Sequence, residues 1–132
     1  MEPLLRRVNQ LLIAFDLALG LAAAAAPDAT LRAIGHRRPS PDARALFRRC
    51  APIWLTFAAA HANAARRGRP ADWWALAWLR GTEIATDWVW ARSPAIGLRG
   101  RLALRFAGLF NLAAAGGFAL LGRPRSGAQP RA

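Results

Sequence analysis

WWALAWLRGTEIATDWVW, residues 73–90, decides how the rest of the chain is read. It is an apolar run flanked by tryptophans and about long enough to cross a bilayer, yet it carries Arg80, Glu83 and Asp87. At helical spacing Trp73, Leu76, Arg80, Glu83, Asp87 and Trp90 recur at alternating steps of three and four, so they share one face and the three charges point the same way. A charge near the centre of a membrane helix costs about 2.5–3.5 kcal/mol on the mild insertion scale. The stripe is therefore expected to face other helices or water, and the remaining segments must supply its partners.

Working outward, three more segments have the length and apolar content of membrane helices. The expected fold class is all-α: a transmembrane four-helix bundle with spans at 8–26, 43–65, 73–90 and 102–121, and a short interfacial helix between the first and second spans. The membrane domain covers 1–122, and the tail 123–132, with no apolar periodicity, is expected to be a disordered basic extension. Arg6 and Arg7 precede the first span as an interfacial anchor would. That segment also mimics a signal peptide, with a basic start, an apolar core and alanines before Pro27; Asp16 within the apolar core argues against cleavage.

Punctuation supports these boundaries. In PDATLRAIG, residues 27–35, Pro27 suits a first helical position and Gly35 a C-terminal stop. Ser40-Pro41-Asp42 is a helix start with an N-cap, a first-turn proline and a first-turn acid. Arg66-Arg67-Gly68-Arg69-Pro70 is a tight turn, which makes the helices on either side antiparallel neighbours. Gly108, Gly116 and Gly117 offer close helix contact in the last span.

Charge distribution agrees with a membrane setting. The chain has 132 residues, 55% of them hydrophobic, which is high for a soluble domain of that size; its basic residues are all arginine and its net charge is +12. With Arg44 and Arg48 in the first turns of the second helix at the headgroups, the four spans enclose Arg49, Arg80 and Arg105 with Asp16, Glu83 and Asp87, three of each sign. The excess of +12 therefore lies in loops and ends, as lipid headgroup contacts require. Arginines divide almost evenly between the two sides, so orientation stays open.

A rise of about 1.5 Å per residue turns position into depth. Asp16 lies roughly 12 Å along the first span and Arg80 roughly 10 Å along the third, so they are expected to pair. Asp87 lies roughly 20 Å from the same side, level with Arg49 and Arg105, and is expected to take one or both. Glu83 is left near the midplane, with Arg80 one turn away and Asn111 of the last span at similar depth. It is the carboxylate least provided with a partner and the natural candidate for a proton or polar ligand. Against this stands a plainer role, in which buried ion pairs fix register and nothing else.

Weaker candidates follow. His61 shares a helical face with Trp54 and Phe57, and a hydrogen-bonded or interfacial histidine explains it better than a ligand. Haem has little support, since His36 falls in a loop and leaves no pair at depth. Trp73, Trp74, Trp88 and Trp90 are expected in an aromatic belt, and Thr56, Asn63, Thr82 and Thr86 as bonds between helices. Cys50, the lone cysteine, excludes an internal disulfide and is expected to be a buried inert thiol. No nucleophile elbow, phosphate loop or metal-ligand spacing occurs, so neither catalytic nor metal residues are expected.

The layout resembles that of the small four-helix membrane proteins related to the DoxX family. The likeness rests on the PDATLRAIG exit from the first span, LFRRC (46–50) leading into the second, and arginine with acids in LRGTEIATD (79–87), and it covers residues 11–121. It implies an integral membrane accessory protein, linked in some relatives to quinone or sulfur redox systems, and carries no catalytic residue onto a numbered position. The leading expectation is a non-enzymatic subunit or accessory of a larger membrane system in a bacterial cytoplasmic membrane, with the lipid bilayer, membrane proteins or further copies of itself as partners. Two alternatives stand beside it. One is a small transporter, proton path or quinone-linked redox component using Glu83, Asp87 and Asp16. The other is a soluble arginine-rich nucleic-acid binder, invited by the charge but opposed by basic residues that alternate with apolar spans instead of lining one helix.

Overall fold

A computed structural model describes residues 1–124; the expected basic tail lies, from residue 125 on, outside the described residues. Among the described residues the chain forms five helices and no strand: α1 (Glu2–Ala25), α2 (Pro27–Ile34), α3 (Pro41–Arg67), α4 (Pro70–Ala91) and α5 (Leu98–Leu121). The Ser40 hydroxyl accepts from Ala43 N at 3.1 Å and starts α3, while Gly35 (φ 104°) and Gly68 (φ 63°) end α2 and α3 in the left-handed region. At the head of α4, Asp72 accepts from Arg69 N at 3.3 Å and from Asn63 Nδ2 of α3 at 3.0 Å. α1 begins at Glu2, so Arg6 and Arg7 lie within it, and Arg6 pairs with Glu2 one turn back.

The helices are arranged as two antiparallel pairs. α1 lies along α3, with Asn9 at the level of His61 and Gly20 at that of Leu55. α4 lies along α5, with Trp73 against Phe118 and Trp88 against Gly108, where a Cβ would stand 2.6 Å from the indole Nε1. α3 and α4, although joined by a two-residue turn, touch each other far less than either touches its main partner. The short turn makes them neighbours without making them the principal contact.

One apolar cluster, Leu12, Ala64, Trp73, Leu76, Ala77, Ala114 and Phe118, joins all four long helices near the chain termini. At the opposite end the core divides. Ala23, Leu31, Phe47 and Ala51 pack among α1, α2 and α3, while Ala91, Ile96 and Leu104 pack at the α4–α5 connection, with Ile34 and Trp90 touching both groups. There the backbone itself ties the pairs: Arg37 N donates to Ala95 O and Gly97 N to Gly35 O, both at 2.9 Å. A Cβ on Gly35 would lie 2.5 Å from Gly100 Cα, so these chains approach closely only because neither residue has a side chain.

Among the described residues two helices, Glu2–Ala25 and Leu98–Leu121, are long and apolar enough to cross a membrane. The structure gives that property to two helices and not to the four spans expected. α4 is interrupted by Arg80, Glu83 and Asp87, and α3 carries arginines at both ends. The tryptophans also depart from expectation. Trp74 and Trp88 are exposed, but Trp73 is buried and stacked on Phe118 at 5.8 Å, and Trp90 is half-buried with its ring 6.1 Å from Phe47. Asn63 does bond between helices, whereas Thr56, Thr82 and Thr86 donate to carbonyls of their own helices. Cys50 is a free, half-buried thiol.

Candidate functional site

The inward stripe of α4 is the one expected, with Trp73, Leu76, Arg80 and Asp87 buried and Glu83 half-buried. It borders the seam between the helix pairs, where α1 brings Asn9 and Asp16, α3 brings His61 and α5 brings Asn111. Each of these polar groups is buried because it falls in phase with its helix's apolar inward residues: Asn9, Leu12 and Asp16 on α1, Ala58, His61 and Ala64 on α3, Leu104, Gly108 and Asn111 on α5.

Arg80 is the hub. Its Nη2 donates to Asp16 Oδ2, joining the two residues matched by depth. Its Nε and Nη2 also lie 3.0 and 2.8 Å from His61 Nε2, and its guanidinium stands over the Phe57 ring at 5.4 Å. A guanidinium has donors only, so His61 Nε2 must be an acceptor. The far side of the imidazole gives the same answer. Asn9 Nδ2 donates to the His61 carbonyl at 3.1 Å, which turns Asn9 Oδ1 toward Nδ1 and makes Nδ1 the protonated nitrogen. His61 is thus a neutral Nδ1–H tautomer, 0% exposed, with both ring nitrogens engaged. Expected from sequence as a hydrogen-bonded or interfacial histidine, it is the hydrogen-bonded one, and a central link of the network. Asn9 was missed because it follows Arg6 and Arg7 and reads as a flank, although its spacing to Leu12 and Asp16 is the inward spacing of α1.

The other end of the stripe differs. Asp87 Oδ2 accepts from Asn111 Nδ2 at 3.0 Å. Neither Arg49 nor Arg105 reaches Asp87, and both are exposed. Rotation explains this: Arg49 sits midway between inward Phe47 and Ala51, and therefore on the opposite face, and Arg105 is rotated about 100° from inward Leu104. Asn111, placed by depth beside Glu83, is taken up by Asp87. Glu83 lies near enough to Asp16, Arg80 and Asp87 for their charges to act on it, yet among the described residues its carboxylate has no hydrogen-bond or ion-pair partner. Asp16 Oδ1 is a second unsatisfied group, fully buried and without a donor.

An open groove of about 620 Å³ lies away from this seam, where the end of α1 meets the starts of α2 and α3. Asp28 lines it and pairs with Arg32 at 2.9 Å and Arg44 at 3.5 Å, so it is a surface ion network separate from the polar seam. Comparison of the chain with protein-family models, curated proteins and solved structures finds no match.

Proposed function

We propose that this chain is an integral membrane protein, a four-span bundle with α2 lying at the interface, that serves as a non-enzymatic accessory or subunit of a larger system in a bacterial cytoplasmic membrane. One observation carries the reading: the polarity of the helices is reversed. Leu11, Phe15, Leu17 and Leu21 of α1 and Leu102, Phe106, Leu109 and Leu112 of α5 are exposed, while Asn9, Asp16 and Asn111 of the same helices are buried. A water-soluble bundle gains stability by the opposite arrangement, and apolar surface this continuous is a liability in water. With lipid as solvent, apolar side chains face out and polar groups must be satisfied inside.

The same reasoning extends to the two less apolar helices. The charges of α4 that lower its hydropathy all lie on its inward or half-buried face, so none has to contact lipid. Arginines near the ends of α3 have stems long enough to reach headgroups. A subunit role fits a network whose donors are largely consumed by one another. Carbonate and high-salt washing of membranes tests the setting: the chain is expected in the pellet until detergent is added, and release without detergent favours the soluble nucleic-acid binder. Co-purification in mild detergent tests the role, for which recovery solely as a lone monomer is the adverse result.

A further inference from the structure

With Arg49 and Arg105 turned outward, the seam holds one arginine against three acids. Arg80 faces Asp16, Glu83 and Asp87, and His61 contributes no charge because its Nε2 accepts from Arg80. The other groups facing the seam, Asn9 of α1 and Asn111 of α5, are neutral. Three carboxylates sharing one counter-charge in a largely buried seam repel one another, and such groups do not all remain ionised. Two geometric facts show what is missing. Asp16 Oδ1, in a residue 1% exposed, is an acceptor with no donor, and the half-buried Glu83 carboxylate has no hydrogen-bond or ion-pair partner among the described residues. Among the described residues no group of three or more His, Cys, Asp or Glu is placed to hold a metal ion.

We infer that the seam between the helix pairs is a binding site for an exchangeable proton, carried by the Glu83 carboxyl, with Asp16 Oδ1 and Asp87 as the acceptors beside it. A protonated carboxyl supplies an O–H donor while removing one negative charge, which meets both deficits together. The proton comes from water and returns to it, and the only bond made or broken is the O–H bond. Trp73, Leu76 and Phe118 close the terminal end of the seam, so exchange takes place from its other end, past Asp87. The proposal draws on the membrane reading for the exclusion of water from the seam.

The chain contains two glutamates, Glu2 and Glu83, and Glu2 pairs with exposed Arg6. Glutamate labelled with carbon-13 at the side-chain carboxyl therefore gives two signals in the full-length protein in lipid nanodiscs. At neutral pH one signal is expected to report an ionised carboxylate and the other a protonated carboxyl, with a matching infrared carbonyl band that shifts in heavy water. Glu83→Gln should remove the protonated signal and Asp28→Asn should leave it. Two ionised signals in the unmutated protein overturn the inference, as does a protonated signal that survives in Glu83→Gln. Because the unmutated chain answers the question, a variant that fails to fold does not shield the proposal. Carbonate release would sink the membrane reading and leave this measurement standing, so the two fail separately.

Discussion

Two stretches of one helix, a turn apart, solve the same problem differently. Around Arg80, side chains from α1, α3 and α4 consume one another's donors and acceptors, and only Asp16 Oδ1 is left over. Around Glu83 and Asp87, one neutral amide from α5 serves Asp87 and no donor serves Glu83 among the described residues. The first stretch links the two helix pairs, since Asp16 and His61 belong to one pair and Arg80 to the other. The second joins α4 to its own partner and leaves charge unmatched. A buried polar layer is therefore not one object: part of it holds the fold together, and part is left incomplete at a cost that folding alone does not explain.

Substitutions can break or sharpen this contrast. The largest loss is expected from Arg80→Ala, which strands the Asp16 carboxylate and the His61 lone pair inside the protein; thermal unfolding in mild detergent should register about 3–5 kcal/mol. Pairing Arg80→Met with Asp16→Leu should recover most of it, and a double variant as weak as the single one would mean that the Coulombic pair is not what Arg80 contributes. Asn111→Ala comes next, at about 1.5–3 kcal/mol by the same assay, because a hydrogen bond to a charged group is removed from Asp87. Ser40→Ala, which touches neither stretch, should cost about 1 kcal/mol through loss of the α3 cap and calibrates the series. Smallest is Glu83→Gln, expected within about 0.5 kcal/mol of the parent, because the amide is neutral and keeps a donor in place of the protonated carboxyl. A cost there as large as that of Asn111→Ala would erase the distinction between the two stretches.

Much of this was legible in the chain. Local stops and starts are readable because each has a short-range cause: the Ser40 hydroxyl, the prolines that open α2, α3 and α4, and the left-handed glycines at 35 and 68. The level of Asp16 with Arg80 followed from helical rise alone. What rise cannot give is azimuth, and the two arginines expected inward, Arg49 and Arg105, lie off the inward faces of their helices. The pairing of α1 with α3 and α4 with α5 is set by side-chain fit over whole helix lengths, as where Gly108 receives Trp88, and no local pattern announces it. The burial of Trp73 was hidden by its position, since a tryptophan at a helix end serves equally as an anchor or as a core residue.

The direction of the Arg80–His61–Asn9 string has one more consequence. Proton hopping along hydrogen bonds requires every member to accept as well as give, and this string begins at a guanidinium that can only give and ends at a main-chain carbonyl that can only take. It cannot be reversed by rotating its members in place. The string is thus an insulator, and the end of the seam that Phe118 closes to water is closed to charge relay as well.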